Sequence, residues 1–462
     1  MSFSNMYNKI VKYRLTATCT QPLHIGSPSG NPEEVLVHPV DGIPFIQASS
    51  IAGVFRSYYK DAFGEENADR LFGASKFEDN MNASAMGSLV KFSDGRFISD
   101  KKEMHIELRP RVSINPVTGT CDASTVKGTD RKAGHKFNMS YIGAGAQFVF
   151  DVYLFDETNR KKLEDVFAAI HHQVLQFGGQ KSNGCGYMKI DRLLCKEFDM
   201  KETADRKLWF SEDTLEDKFY MDLSAVLKNE TKVKNAYEIL VDGNTEGQML
   251  VKSIAVSDYE KGSPDCMNIQ NSAEEYIVPG SSFKGAIRNQ AQMIVSYLQG
   301  QGICDGDIIT EAFGKSGTKE QDGKTGNLCF FDTVVGNKEE NDNMPLSHRI
   351  HIDKFTGGVM HGGLFSEKNI SGNMRFEIHI RDRNTPDRTC GILLLALRDL
   401  AAGAMSIGSG YNIGKGIITV EKIHIFQKKD QKSAEIDYRN KKIKDEDGVI
   451  KNCMQAVYGG NK

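Results

Sequence analysis

The sequence predicts an α+β chain made of two tandem copies of one β-α-β-β-α-β domain. Three colinear matches carry that prediction. Gln47-Ala-Ser-Ser-Ile-Ala-Gly-Val-Phe-Arg56 resembles Pro279-Gly-Ser-Ser-Phe-Lys-Gly-Ala-Ile-Arg288. Arg111-Val-Ser-Ile-Asn-Pro-Val-Thr-Gly119 resembles Arg349-Ile-His-Ile-Asp-Lys-Phe-Thr-Gly357. Phe177–Gly186 resembles Ile407–Gly416. The shifts are 232, 238 and 230 residues, in one order and nearly one spacing. A repeat of that length is one whole domain rather than a solenoid unit.

Each copy opens on an alternating stretch, Tyr13–Thr18 and Tyr237–Val241, the period-2 pattern of a half-buried strand. A serine pair then starts a helix. Ser49/Ser50 and Ser281/Ser282 suit the N-cap, where a hydroxyl accepts an orphan backbone N–H. Strands follow at Ser88–Phe92 and Asn327–Phe331, then at Phe148–Leu154 and Arg375–Ile380. Second helices follow at Lys161–Gln176 and Gly391–Met405, then the glycine loops, then closing strands at Tyr187–Ile190 and Ile417–Val420. That order is ferredoxin-like, an architecture shared with RNA-recognition modules. The predicted organisation is domain one over 1–195, an acidic linker over 196–234, domain two over 235–428 and a charged tail over 429–462, mobile in part. The linker carries Trp209, Phe210, Phe219 and Tyr220, which points to packing.

Composition narrows the function. The 462 residues exceed what one core usually serves. Net charge is −3, so a nucleic-acid partner requires focused positive charge rather than a generally basic surface. Residues 101–140 hold eight Lys/Arg against four acids, which is such a focus. No apolar run approaches the ~18–20 residues of a membrane span. The N-terminus lacks a signal-peptide core, so a cytoplasmic protein with no membrane partner is expected. Nine cysteines without CxxC pairs read as reduced core thiols.

The strand–PGSSxKGxxR–helix element, Arg349-Ile-His-Ile-Asp-Lys-Phe-Thr-Gly357, Gly362-Gly-Leu-Phe-Ser-Glu367 and the terminal glycine loop resemble the RAMP superfamily of CRISPR systems. The chain is most similar to the backbone subunits of type III (Csm/Cmr-like) effector complexes, as a fused double-domain subunit of the type III-D-like kind. Repeat one departs from the pattern, with Gln47-Ala48 for Pro-Gly and Ala52 for the lysine. The resemblance implies two tandem ferredoxin-like (RRM-like) RAMP domains with β-hairpin thumbs. It implies CRISPR RNA, complementary target RNA and other type III CRISPR subunits as partners. It also implies target-RNA cleavage by an acidic loop residue with a divalent metal, Mg²⁺ being expected. A non-catalytic guide-RNA scaffold and a CRISPR RNA-processing endoribonuclease remain alternatives.

The expected RNA contacts are residue-specific. A helix N-terminus offers N–H groups and positive dipole to a phosphate. Ser281, Ser282, Lys284 and Arg288 gather there in repeat two, and Ser49, Ser50 and Arg56 in repeat one; the same serines as simple caps are the competing reading. Gly178, Gly179, Lys181, Gly408 and Lys415 mark the glycine loops, where backbone N–H groups can face RNA or merely turn. Arg111 and Arg349 precede the thumb segments, taken as Asn115–Ile142 and Asp353–Ile370, and Lys132 lies within the first of these. For chemistry, Asp265 lies 14 residues before Pro279, near where the family keeps its catalytic aspartate, and is the expected metal ligand. Asp258 is a second candidate in that loop. The same offset in repeat one gives Glu33, beside Glu34. His24, His351 and His171-His172 are read as structural.

Overall fold

A computed structural model describes residues 8–459, except 28–32, 75–86, 99–105, 116–122, 126–131, 135, 156, 212–215, 232–234, 254–263, 305–306 and 316–321. The chain forms two compact units. One comprises residues 1–106, 140–181 and 185–232. The other comprises 107–139, 182–184 and 233–462.

In the first unit, β1 (Lys9–Cys19) buries Tyr13, Leu15, Ala17 and Cys19 on alternate positions. Helix α1 (Ala48–Phe63) buries Ile51, Phe55, Tyr58 and Tyr59 at helical spacing. Then come β2 (Val90–Phe92), β3 (Gln147–Leu154), α2 (Arg160–His171) and β4 (Met188–Asp199). β1 pairs antiparallel with both β4 and β3, and β2 pairs with β3. The spatial order of these four is β4-β1-β3-β2, the antiparallel ferredoxin-like arrangement.

The second unit repeats it with β5 (Asn235–Met249), α3 (Gly280–Gly300), β6 (Leu328–Phe330), β7 (Ile370–Arg381), α4 (Pro386–Ala401) and β8 (Thr419–Gln427). The sheet order is β6-β7-β5-β8. The duplicated α+β fold is therefore present as expected. Helix α3 sends Phe283, Ile287, Ala291, Val295 and Leu298 into its core, an apolar stripe of the expected period. Among the described residues no helix is long and apolar enough to cross a membrane.

The linker and the tail lie outside the two repeats. Two of the four linker aromatics pack as expected: Trp209 meets Phe198 and Tyr153 edge-on, and Tyr220 is buried beside Phe198, whereas Phe210 and Phe219 are exposed. The charged tail, however, folds. β9 (Lys432–Asp437) and β10 (Lys442–Lys444) extend the second sheet beyond β8, and α5 (Val449–Tyr458) lies on α4. Val449, Cys453 and Val457, four residues apart, form its buried face. That spacing was the available signal, hidden by the surrounding Lys and Asp. The contact is close: a Cβ on Gly391 would lie 2.5 Å from Cys453 O. Gly391→Ala is therefore expected to lower stability by about 1–3 kcal/mol through overpacking, read as a drop in Tm.

Candidate nucleic-acid interface and acidic loop

Both first helices start in the same way, and the serines are not their caps. α1 begins after Gln47 and α3 after Pro279, and neither start has a cap from its own flanking side chain. The leading N–H is instead bound from afar. Asp94 Oδ1 accepts from Ala48 N at 2.7 Å, and Asp332 Oδ1 accepts from Gly280 N at 2.9 Å. In the second unit Arg109 holds Asp332 Oδ2 at 2.6 Å, and Glu107 in turn pairs with Arg109. Ser49, Ser50, Ser281 and Ser282 consequently sit in the first turn, partly or fully exposed.

Beyond that turn the second unit concentrates positive charge. Lys284 Nζ donates to Ser182 Oγ at 2.8 Å. Burial pushes the Lys284 amine down to about 8, and the charges of Arg288, Arg111 and Arg381 push the same way. Lys284 thus lies within interaction range of three arginines near the N-terminal end of α3, a concentration of positive charge at a helix start. The first unit has no match on α1: Arg56 is spent on Asp69 at 2.6 Å.

The glycine loops are held largely by their own chain. Gly178 and Gly186 have φ of +69° and +90°, and Gly408 and Gly416 have +97° and +72°. A Cβ on these would lie 2.2, 2.0, 2.7 and 2.0 Å from the carbonyl oxygens of His24, Phe177, Leu250 and Ile407. These glycines are required for closing the loops, so the turn reading accounts for them. Gly179 donates its N–H to His24 O at 2.8 Å. Lys181 is exposed. In repeat two the exposed part of the loop is Tyr411–Gly414.

Lys415 corrects the expectation of a loop cation facing RNA. Its side chain is 3% exposed, paired with the Glu367 carboxylate, with Asn369 Oδ1 at 2.6 Å. Arg349 Nε shares Glu367 at 3.0 Å. Removing one partner of a buried pair typically costs about 3–5 kcal/mol. Lys415→Met is accordingly expected to lower Tm steeply. A change in RNA affinity at unchanged Tm would instead indicate a direct contact.

The thumb of repeat two is a hairpin, Ser347–Ile352 paired antiparallel with Val359–Glu367. The expected range thus began at its turn and ran into core strand β7. At the turn, Asp353 Oδ1 accepts from Phe355 N, Thr356 N and Thr356 Oγ1. Phe355 is 88% exposed there, and Ile350, Ile352, Val359 and Leu364 are exposed along the strands. In repeat one, Ile106–Val112 pairs with Lys136–Ile142, and Ala123–Thr125 pairs with Lys132–Gly134. Residues 107–139 group with the second unit. Arg111 is half-buried there, while of Lys132 only the backbone is described.

Asp265 lies at the base of the repeat-two hairpin. Its Oδ2 accepts from Ser366 N at 2.6 Å and Ser366 Oγ at 3.0 Å. Those two hydrogen bonds hold the exposed carboxyl below its ordinary range, so it stays ionised. Neither uses Oδ1. Asp258 lies outside the described residues.

The backbone also corrects the counterpart of Asp265 in repeat one. Glu33 O accepts from Ser140 N as Cys266 O accepts from Lys368 N. Leu36 N donates to Ile25 O as Ile269 N donates to Val251 O. Both pairs give a shift of 233 (266 − 33, 269 − 36). The following turn, His38–Ile43, is one residue longer than Asn271–Glu275, which the gapless offset could not register. Asp265 therefore corresponds to Pro32, which has no carboxylate and lies outside the described residues. Glu33 takes the place of Cys266, and Glu34 that of Met267. Of the histidines, His24 is buried with Nδ1 2.9 Å from Ser140 O and His171 Nδ1 is 2.8 Å from Ile190 O, while His172 and His351 are exposed.

The RAMP superfamily model matches residues 16–189 and 260–419, one span in each repeat and together well over half of the chain. The chain belongs to the RAMP superfamily. Among characterised relatives of this RAMP protein, the CRISPR system CMR subunit Cmr6 of Saccharolobus solfataricus is 43% identical over 44 residues, 10% of this chain and 16% of the relative. Among solved structures, a chain of the Type III-B Cmr-beta complex bound to cognate target RNA aligns with 40% of this chain and 61% of its own length. The TM-score is 0.30 and the identity 19%. The chain thus spans less than two thirds of each.

Proposed function

We propose that this RAMP protein is a backbone subunit of a type III CRISPR effector complex. It holds CRISPR RNA, meets complementary target RNA and neighbouring type III subunits, and cleaves the target at a site set by Asp265. The observation that carries the reading is the ionised, exposed Asp265, fixed by Ser366 at the foot of a hairpin that exposes Ile350, Ile352, Phe355, Val359 and Leu364. The cation group around Lys284 suits the phosphate backbone, which needs no sequence reading by the protein. Exposed apolar residues on a hairpin suit insertion against base pairs.

In the proposed chemistry Asp265 orients the reacting segment and accepts a proton, or a hydrogen bond, from the 2′-OH that attacks the adjacent phosphorus. The attacking oxygen forms a bond to phosphorus as the 5′-oxygen leaves. Mg²⁺ fits such a place, because it commonly takes one or two carboxylates plus substrate phosphate oxygens, and Asp265 would hold it. Bound there it would supply charge stabilisation for the leaving and non-bridging oxygens. Ser366 keeps the carboxylate in place throughout.

Repeat one, with Pro32 where repeat two has Asp265, binds without cutting in this proposal. Co-expression of the chain with a CRISPR array and the remaining subunits tests the binding half. Guide-length RNA that co-purifies with the chain, and is released by high salt, is the expected result. A chain that assembles without RNA would refute it.

A further inference from the structure

We propose that Glu238, Glu377 and His379 form a binding site for a first-row divalent cation of the Zn²⁺ class, on the sheet of the second unit and separate from the Asp265 loop. Strands β5 and β7 place the three side chains together. Glu238 stands opposite His379 in the antiparallel register, and Glu377, two residues before His379, shares its face. One ligand atom from each lies within 4.8 Å of the others.

The histidine is set up as a ligand. Its Nδ1 is 3.1 Å from Asn235 Nδ2, and the Phe331 ring packs against the imidazole at 4.7 Å. Its Nε2 is shielded from solvent and lies 2.7 Å from Glu377 Oε1, yet it makes no hydrogen bond of acceptable angle. A tetrahedral cation with bonds of about 2.0–2.2 Å would replace that contact and part the two atoms to roughly 3.3 Å. Coordination by Nε2 requires the proton on Nδ1, for which Asn235 presents its amide oxygen after a half-turn of the amide; this is the outer partner that metal-bound histidines usually keep. An imidazole with two carboxylates is a borderline N/O donor set, suited to Zn²⁺ or Mn²⁺ more than to Mg²⁺. Three protein ligands leave a fourth position for water. Lys428, now paired with Glu238, competes for the same carboxylate and must yield one oxygen when the cation binds.

Titration of the chelator-stripped full chain with Zn²⁺ alone tests the proposal. Wild type is expected to bind one more Zn²⁺ than Glu377→Gln or His379→Gln, and to gain Tm on binding. Asn235→Leu should weaken that site by about 10–100-fold. Asp265→Asn should leave it unchanged, which separates it from the cleavage centre. Glu377→Gln is isosteric at a partly exposed position, so it guards against misfolding of the histidine variant. Visible absorption of Co²⁺ bound to wild type, lost in Glu377→Gln, provides a second readout. Equal Zn²⁺ stoichiometry and affinity in wild type and Glu377→Gln, or no Co²⁺ absorption in wild type, would overturn the site.

Discussion

Asp265→Asn in the assembled complex is expected to slow target-RNA cleavage by about 10²–10⁴-fold, the usual worth of a positioned base, while guide and target binding persist. The substitution keeps the size and the contact to Ser366 but removes the charge that Ser366 N and Oγ now hold in place. Ser366→Ala should give a smaller loss in the same rate, because the backbone N–H remains. Glu33→Gln should change nothing, since its backbone stands where Cys266 does. Single-turnover rates on a labelled target separate these outcomes. An Asp265→Asn complex that cuts at the wild-type rate would remove the loop from the chemistry.

Changing Lys284 and Arg288 together to Ala is expected to weaken RNA binding for unrelated guides alike. Each lost phosphate contact should flatten the salt dependence by about 0.7 in log–log slope, so the pair by about 1.4. The effect should depend on pH. Free of RNA, the Lys284 amine titrates at about 8 because burial and neighbouring arginines disfavour its charge. A phosphate beside it favours the charged form, so affinity should hold below pH 8 and decline above it; Lys284→Met should abolish that decline. The stability linkage runs the other way. The unfolded chain keeps the ordinary lysine value of 10.5, so the buried charge costs stability below about pH 8, and the cost is relieved as pH rises from there towards 10.5. Strong dependence of the Lys284/Arg288 effect on guide sequence would contradict a backbone grip.

What the sequence revealed was what is local or repeated. Duplication of the serine–helix, arginine and glycine-loop segments revealed the repeated α+β fold, because each segment keeps its spacing to the strand or helix it joins. The repeat-two hairpin was expected, but its extent was missed: Asp353 closes the turn on its own backbone rather than opening the segment. The failures are contacts between residues far apart in the chain. Asp94 and Asp332 cap helices that begin 46 and 52 residues earlier, so adjacent serines drew attention that belonged elsewhere. Lys415 looked like an exposed loop cation because only the fold brings Glu367 and Asn369 to it. Glu33 inherited a role through a turn longer by one residue in repeat one. The folded tail was masked by its charge, although Val449, Cys453 and Val457 lie on one face.

A cut map of complementary RNA on the assembled wild-type complex, in Mg²⁺ and then in EDTA, tests most directly the assignment of cleavage to repeat two alone. One cut per copy of this chain, lost in EDTA and absent from the Asp265→Asn complex, is the predicted pattern. Two regularly spaced cuts per copy, or one that survives both EDTA and Asp265→Asn, would contradict it.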